Sequence, residues 1–383
     1  MDYRLTEDQE SFVTAFADFV DKEIVPRASD VEAAGVFPMD NYKRLAAFGY
    51  NGLLHEERYG GTNVDALTAT LAQVELARGC ASTFLSVGAS VGLFGVPVRE
   101  FASDEMKSEI LPGLVRGELV GAWALTEPHC GSDVAAMKTT ARKTDAGYVL
   151  SGSKMFITNG ADADWVMVSA VTDAGSGHQG MSNFLVKGDT PGLSASKPLE
   201  KMGLRGSPTN ALYLEDCEIP AEWLCGSPGD GFLQAMKTLE HGRLGMAAFG
   251  VGIAQACLDE ALSYANEREA FGKKIIKFQP VHFKLADIQI DVDGAKLLLS
   301  RAAWLHGRGE CPQAIYSAAK LFATEAAVRC ADRAIQIHGG AGYMAESRVE
   351  RLYRDARLGP IGEGTSEIQR RLIADETMGL FVK

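Results

Sequence analysis

The chain has 383 residues, 46% hydrophobic and 23% charged, which is typical of a folded globular protein with about two or three packed units. Its formal net charge of −12 argues against nucleic acid, or an anionic membrane surface, as the main partner. The seven cysteines are scattered and never form C-x-x-C, which predicts free thiols of a reducing compartment and not a disulfide framework or a zinc site.

Targeting and metal-binding signals are both missing from the sequence. The first residues contain no apolar signal core, and no apolar run reaches the roughly 18 residues of a membrane span. The seven histidines form neither H-E-x-x-H nor another close ligand pair, so no metal site is predicted. We therefore expect a soluble protein of the cytoplasm, or of a matrix-type compartment, without membrane insertion.

The first part of the chain has a helical pattern. Thr6 and Gln9 are spaced as a capping box, and the apolar residues that follow lie on one helix face that we expect to end at Pro26. Helical patterns continue to about residue 118.

The pattern then changes twice. Short β-rich runs separated by Gly, Asp and Ser turns occur between about 119 and 225, at 148–150, 165–168 and 184–186. Long helical periods return at 231–265, 280–306 and 312–337. This order predicts a small barrel or sandwich between two helical units.

Five short segments are the most informative about chemistry. They are WALTEP at 123–128 with GSD at 131–133, GSKMFITNG at 152–160, REAFGK at 268–273 with Gln279, QIHGGAGY at 336–343, and IGEGTSEIQR at 361–370. In the last segment Glu363 stands between two glycines, so a substrate carbon and a flat ring could approach its carboxylate closely. The alternative is that Ser366 and Gln369 form an S-x-x-Q capping box and that Glu363 only complements a helix N-terminus.

In their order and spacing the five segments resemble the acyl-CoA dehydrogenase family along essentially the whole chain. The resemblance implies an α+β protein with three parts: an N-terminal α-helical domain, 1–118; a middle β-barrel or sandwich domain, 119–228; and a C-terminal four-helix bundle, 229–383. It also favours the catalytic interpretation of Glu363 over the capping interpretation.

The same resemblance implies FAD. Removing two hydrogens from adjacent saturated carbons needs a hydride acceptor that no side chain provides, and the sequence contains neither a Rossmann G-x-G-x-x-G nor a P-loop. In the family, FAD lies between the β-domain and the bundle and also contacts a second subunit. The positions that correspond to its contacts are Trp123, Leu125, Thr126, Ser132, Phe156, Thr158, Arg268, Phe271, Gln279, Gln336, Gly339, Gly340, Thr365 and Glu367.

The resemblance makes Glu363 the base that removes the α-proton of an acyl-CoA thioester, with the β-hydride going to FAD and a trans-2-enoyl thioester as product. Burial would raise the pKa of this carboxyl toward the working pH, and its own N–H would bind the thioester oxygen. A minority of members carry the base at the position of Gly242, which has no side chain here. Predicted substrate contacts are Ser132, Arg243, Gly362 and Gly364, although Arg243 also suits a plain surface position.

Two departures from the family pattern concern the substrate. Gly362 stands where many members have a bulkier residue, which would leave room for a branched, cyclic or otherwise bulky acyl group. His129 and Cys130 replace a smaller, more neutral pair near the expected ligand entrance, which argues against an ordinary straight-chain fatty acyl-CoA.

The resemblance also implies partners, and one further motif suggests a different function. We expect electron-transfer flavoprotein as the electron acceptor, with oxygen as the alternative, and a homotetramer built as a dimer of dimers. A thioester on a carrier protein is the alternative substrate. A remote alternative is a serine hydrolase, because Gly88–Gly92 matches G-x-S-x-G around Ser90; that motif requires a preceding strand.

Overall fold

The N-terminal region is helical, as predicted. The computed structural model describes residues 5–380, and its first helices are α1 (Glu7–Phe19), α2 (Ala28–Ala34), α3 (Met39–Phe48), α4 (Ala66–Gly79), α5 (Ala81–Val87), α6 (Gly95–Phe101) and α7 (Asp104–Val115). The capping box is present: the Gln9 N–H donates to Thr6 Oγ1 at 3.2 Å, and the Thr6 N–H donates to Gln9 Oε1 at 3.0 Å. The expected stop at Pro26 is wrong, because the chain turns on through a π-helical stretch and Pro26 lies in a 3₁₀ turn, Val25–Arg27, where its missing N–H costs little.

Helices α5 and α6 are joined by a π-helical stretch, Gly88–Phe94, into one helical segment, Ala81–Phe101. Its mean hydropathy reaches 1.5, and by length and composition it could cross a membrane, which the sequence prediction missed because small residues interrupt the apolar run. However, 78% of its most apolar window is buried inside the protein, as in a core helix.

The middle region is a mixed sheet. Its strands are β1 (Gly121–Ala124), β2 (Thr140–Lys143), β3 (Gly147–Thr158), β4 (Trp165–Val171), β5 (Met181–Lys187), β6 (Leu193–Ala195), β7 (Thr209–Pro220) and β8 (Leu224–Cys225), in the order β6-β7-β3-β2-β4-β5-β8 with β1 parallel to β4. The long antiparallel pair β3–β7 shifts register between Lys154 and Ile157. The irregularity lets Phe156 take a φ of +61° on a strand that is otherwise extended.

The C-terminal region is again helical, which confirms the α+β architecture. It consists of α8 (Gly231–Glu267), a hairpin of β9 (Glu269–Ala270) and β10 (Lys273–Lys274), α9 (Gln279–Gly307), α10 (Gln313–His338), α11 (Arg348–Ala356) and α12 (Ser366–Thr377). The three long predicted helical periods agree with α8, α9 and α10 to within two residues at every end. All seven cysteines are free thiols, as expected.

Helix α8 passes between α10 and α4 at very short range. A Cβ at Gly250 would lie 2.5 Å from the backbone carbon of Ala323 on α10, and a Cβ at Gly252 would lie 2.5 Å from the Val74 carbonyl oxygen on α4. Both obstacles are backbone atoms, which cannot move aside as a side chain can. The spacing of these three helices therefore depends on two glycines, two residues apart.

The first prediction concerns this contact. Gly250→Ala should lower the unfolding temperature of the FAD-loaded protein, because overpacking costs about 1–3 kcal/mol and exceeds the gain of up to about 1 kcal/mol from replacing a helical glycine. Gly245→Ala is the matched control, since no heavy atom lies within 4 Å of its added Cβ. Equal unfolding temperatures for the two variants would contradict the packing argument.

Candidate active site

Glu363 lies in the turn between α11 and α12, in a left-handed backbone conformation. Its φ is +53° and that of Gly364 is +89°, a combination that costs energy at a residue with a side chain. Gln369, fully buried on α12, donates from Nε2 to the Glu363 carbonyl at 3.1 Å and to the Gly364 carbonyl at 3.0 Å. A buried side chain thus holds the strained turn from inside.

The alternative capping box at this turn is wrong. The N-cap of α12 is Thr365, whose Oγ1 accepts from the Ile368 N–H at 3.4 Å. Ser366 is the first helical residue, its hydroxyl makes no hydrogen bond, and Gln369 is turned back toward the two carbonyls. The segment is therefore built around the turn at Glu363, and Thr365 begins the helix.

The Glu363 carboxylate lies against α8. Its Oε2 atom is buried and makes no hydrogen bond in the part of the chain that the structure describes. A Cβ at Gly242 would come within 2.5 Å of that oxygen, so the carboxylate occupies the space that any side chain at position 242 would need. The Glu363 carboxylate can therefore lie here only because residue 242 is a glycine.

Two buried cations accompany this carboxylate. Arg243 is only 5% exposed and Lys320 is fully buried, so the alternative of a surface position for Arg243 is wrong. Arg243 Nη1 donates to Gln313 Oε1 at 2.5 Å, while its Nε has no partner. Burial raises the pKa of Glu363, and the charges of Lys320 and Arg243 act against that rise.

The segments predicted to face the flavin ring meet at the end of β1. The Met155 N–H donates to the Thr126 carbonyl at 2.9 Å, and Lys154 Nζ donates to the Leu125 carbonyl at 3.2 Å. Lys154 is fully buried and is paired with Glu127 Oε1 at 2.9 Å. A buried ion pair therefore ties the 123–128 loop to strand β3.

The exposed surface at this junction suits a flat, polar ring. The Phe156 ring is 66% exposed, the Trp123 indole N–H is buried without a partner, and Thr158 is partly exposed beside them on β3. An open aromatic face together with an unsatisfied donor fits the apolar faces and polar edges of an isoalloxazine.

Most of the remaining predicted positions fall into two places, while Ser132 is exposed in the loop after β1. Thr365, Gly362 and Gly364 are partly exposed at the turn of Glu363, and Glu367 is exposed at the start of α12. A second group, whose members are all exposed, surrounds the β9–β10 hairpin and the C-terminal end of α10: Arg268, Phe271, Gln279, Gln336, Gly339 and Gly340. Arg268, Gly339 and Gly340 line an open groove of about 410 Å³.

These two groups lie at opposite ends of α10. Lys320, near its start, contacts the turn of Glu363, whereas His338, at its end, lines the groove. Eighteen residues separate them, or about 27 Å along a helix that rises about 1.5 Å per residue. Within one chain, the residues of the groove are therefore remote from Glu363.

One cluster has the composition of a metal site. Ligand atoms of Glu127, His129 and Cys130 lie within 4.8 Å of one another. However, Glu127 already accepts from the backbone N–H groups of Lys138 and Thr139, at 2.8 and 2.9 Å, besides its bond to Lys154. Its oxygens are fully engaged beside a buried ammonium, so the cluster is accounted for by the ion pair.

Ser90 has a structural role. It lies in the π-helical stretch with no exposed surface, and its Oγ accepts from the Gly121 N–H at 2.9 Å and bonds the Tyr42 hydroxyl at 3.2 Å. The strand, turn and open hydroxyl of a hydrolase nucleophile are all missing at this position. The serine hydrolase alternative is therefore ruled out at Ser90.

Comparison with known proteins identifies the family. The domain families described as "Acyl-CoA dehydrogenase, N-terminal domain", "middle domain" and "C-terminal domain" match residues 6–118, 122–217 and 229–378. The probable acyl-CoA dehydrogenase YngJ of Bacillus subtilis is 44% identical over 381 residues, covering 99% of this chain and 100% of its own. The chain belongs to the acyl-CoA dehydrogenase family. Like its relatives it is an FAD-dependent oxidoreductase, and FAD complexes occur among its structural neighbours.

Two further relatives of this acyl-CoA dehydrogenase have names that state the kind of acyl group they act on. The mitochondrial short-chain specific acyl-CoA dehydrogenase of Rattus norvegicus is 43% identical over 357 residues, covering 93% of this chain and 87% of its own. Butyryl-CoA dehydrogenase from Megasphaera elsdenii aligns with a TM-score of 0.95 and 38% identity, covering 99% of this chain and 100% of its own.

Two further neighbours concern other partners. A chain from a structure described as an electron transferring flavoprotein of Acidaminococcus fermentans aligns with a TM-score of 0.96 and 37% identity. The alignment covers 99% of this chain and 100% of that chain. The prolyl acyl carrier protein oxidase AnaB aligns with a TM-score of 0.92 and 33% identity, covering 98% and 100%.

Sequence reasoning missed two features around Glu363. It did not identify Lys320, and it assigned Gln369 to a capping box although its side chain bonds the turn. A signal for Lys320 was present: it is spaced at four, three and seven residues from Tyr316, Ala323 and Ala327, on the buried stripe of α10. A lysine on such a stripe needs a specific partner.

The second prediction tests the overlap of Gly242 with the base. Gly242→Ala should leave the fold intact, because the obstructing atom is the mobile end of a side chain, but it should displace the Glu363 carboxylate. A misplacement of about 1 Å can cost roughly 100-fold in rate, so flavin reduction by substrate should slow by about that factor while FAD content and unfolding temperature stay unchanged. Gly245→Ala is again the control. An unaltered rate in Gly242→Ala would refute the contact.

Proposed function

We propose that this protein catalyses the FAD-dependent α,β-dehydrogenation of an acyl-CoA thioester to the trans-2-enoyl-CoA, with Glu363 as the base. The observation that carries the proposal is the carboxylate of Glu363, whose Oε2 atom is buried and has no hydrogen-bond partner among residues 5–380. Its glycine neighbours, Gly362 and Gly364, carry no side chain that could keep a substrate carbon away from the carboxylate.

The protein must make a weak acid yield its proton. Hydrogen bonding to the thioester oxygen by the Glu363 N–H would stabilise the negative charge that develops as the α-proton leaves. The raised pKa of Glu363 improves its match to this proton, while Lys320 and Arg243 favour its ionised form before the reaction. When bound, FAD supplies the acceptor for the β-hydride.

We further propose a short acyl group that is branched or cyclic; the short chain is supported by the short-chain specific and butyryl-CoA relatives. A Cβ at Gly362 would meet only Leu358, at 3.7 Å or more, so the space left by its missing side chain is open. Gly88 and Gly92, on the π-helical stretch whose Leu93 approaches Gly242, also have no heavy atom within 4 Å of an added Cβ. The missing side chains on these two elements favour an acyl group that is wide near the thioester over one that is long and straight.

A thioester on a carrier protein is the second candidate substrate, and it rests on the likeness to AnaB, a prolyl acyl carrier protein oxidase. A carrier presents the same pantetheine arm as coenzyme A, so the chemistry at Glu363 would be unchanged. For the electrons, we propose electron-transfer flavoprotein as the acceptor, in line with the neighbour from Acidaminococcus fermentans; oxygen is the alternative.

We also propose that two copies share each FAD site in a homotetramer. The exposed group at Arg268 and Phe271 is too far along α10 from the Glu363 of its own chain to complete the same compact site, but a second copy could bring it there. Phe271 is 95% exposed. On α9, the exposed residues Phe283, Ile290 and Leu297 recur every seven positions and form an apolar face suited to another copy.

The third prediction tests the reaction. Anaerobic titration of the purified yellow protein with acyl-CoA esters should bleach the visible flavin band, most completely with short branched or cyclic acyl groups. Bleaching by straight long chains alone would contradict the proposed acyl group. No bleaching by any CoA ester, followed by bleaching with a carrier-bound thioester, would favour the second candidate.

The fourth prediction tests the base. Glu363→Gln should bind FAD normally but reduce it with substrate at least about 1,000-fold more slowly, within the range of about 10²–10⁴ for loss of general base catalysis. Glu105→Gln, an exposed carboxylate on α7, is the control. Near-normal reduction in Glu363→Gln would overturn the assignment.

The fifth prediction tests assembly. Light scattering after size exclusion should give the mass of four chains, and Ile290→Asp on the apolar face of α9 should lower both the mass and the FAD content. Val36→Asp, at another exposed aliphatic position, should change neither. A monomer with full FAD occupancy would refute the shared site.

A further inference from the structure

Lys320 is buried without the partner that a buried lysine requires. It has no exposed surface, and within residues 5–380 the only hydrogen bond of its ammonium runs from Nζ to the Gly364 carbonyl oxygen at 2.8 Å. Among residues 5–380, no carboxylate lies within 4.0 Å of it. Because burying a charge costs several kcal/mol, a single neutral acceptor is poor compensation.

The other fully buried lysine shows the contrast. Lys154 is equally inaccessible, but it has the Glu127 carboxylate at 2.9 Å as well as the Leu125 carbonyl. The chain therefore provides a salt bridge for one buried ammonium and withholds it from the other. The burial of Lys320 is therefore not explained by a stabilising ion pair, and we look for its reason in its position beside the turn of Glu363.

The turn that Lys320 contacts is the strained one. Glu363 and Gly364 are both left-handed, and their two carbonyls accept three hydrogen bonds from buried side chains, two from Gln369 and one from Lys320. These bonds fix the peptide planes on either side of Gly364, and they therefore hold the left-handed conformation of the residue that directly follows Glu363.

Charges from each packed element face the ammonium. They are Glu363 from the turn, Arg243 from α8, Glu325 from α10 itself and Glu367 from α12. The carboxylate of Glu363 has the strongest influence of these on Lys320, and Lys320 in turn is the strongest charge acting on Glu363. Hydrogen bond and charge thus act on the same residue.

We propose that Lys320 is a positioning residue for the base: its buried ammonium holds the left-handed turn through the Gly364 carbonyl and keeps the Glu363 carboxylate ionised. This inference rests on the proposed role of Glu363 as the base. It assigns the orientation of the turn, and the charge that acts on Glu363, to a residue whose ammonium bonds the protein backbone at Gly364.

The test compares Lys320→Met, which removes donor and charge, with Lys320→Arg, which keeps the charge. Lys296→Met, at an exposed position on α9, is the control. In Lys320→Met, flavin reduction by substrate should fall roughly 10- to 100-fold at pH 6, and the acid limb of the rate profile should move to higher pH. The direction follows because the rate rises as Glu363 ionises, and loss of a neighbouring cation raises the pKa of a carboxyl.

Profiles should be compared below pH 7.5, because burial lowers the pKa of Lys320 itself to about 8. Lys320→Arg should keep the wild-type limb. A folded, FAD-loaded Lys320→Met with the wild-type limb and rate would overturn the proposal. If that variant does not fold, Lys320→Gln replaces it. Because glutamine is a neutral donor, the acid limb of its rate profile should also move to higher pH. An unshifted limb would overturn the role of the charge.

A second measurement does not need a substrate. Because the pKa of Glu363 is raised in the folded protein, its favourable contribution to stability is complete below the ordinary carboxyl pKa and is lost as pH rises through the folded pKa. Glu363→Gln removes that loss, so its unfolding temperature should exceed that of its parent increasingly above about pH 4.5. In a Lys320→Met background this difference should continue to grow to higher pH.

The two measurements separate failure of the inference from failure of the proposed function. If no thioester reduces the flavin of the wild type, the function is wrong, and the unfolding series still decides whether Lys320 controls the ionisation of Glu363. Identical unfolding differences in both backgrounds would overturn the inference, even if the enzyme proves to be an acyl thioester dehydrogenase.

Discussion

The close approach of α8 to its neighbours is the constraint on which the site depends. Gly250 and Gly252 let this 37-residue helix contact the backbones of α10 and α4 directly. Because a helix is stiff, that contact also fixes the position of Gly242, about two turns earlier. The turn of Glu363 can then lay its carboxylate across Gly242, while α10 reaches the same turn with Lys320. The helix spacing that the two glycines permit thus determines where the Glu363 carboxylate lies.

Buried charge is distributed unevenly around this frame. The Lys154–Glu127 pair is satisfied by short bonds and joins the loop after β1 to β3, a mechanical role. Around Glu363 the polar groups are less completely satisfied: Oε2 of Glu363, Nε of Arg243 and the hydroxyl of Ser366 all lack partners. Unsatisfied buried groups are costly, and at this place a bound ligand would supply the hydrogen-bond partners that the described residues do not.

Much of the architecture could be predicted from the sequence because it depends on local patterns. The helices α8, α9 and α10 follow from long apolar periods, and the capping box of Thr6 from two residues three apart. The turn at Glu363 shows the limit: the same spacing of Ser366 and Gln369 suggested a second capping box, yet Gln369 bonds the turn instead. Nothing local distinguishes the two cases, since the difference lies in what packs over the turn.

Long-range pairs set the same limit for the site. Lys320 meets Gly364 across 44 residues, and Arg243 meets Gln313 across 70. Family resemblance pointed to Glu363 through its segment, and to Arg243 because it follows the alternative base position at Gly242, whereas Lys320 stands in an alanine-rich helix. The burial of both cations becomes apparent only when α8, α10 and the turn are seen together.

The overlap between Gly242 and Glu363 has a consequence for how such enzymes can diverge. A lineage that moved its base from the turn to the helix could not pass through a form with both acids in place, because two carboxylates would compete for one space and share one proton. A form with neither acid would have no base. The exchange therefore needs two coupled substitutions, or an intermediate of low activity, and this barrier would keep the two arrangements apart as separate branches.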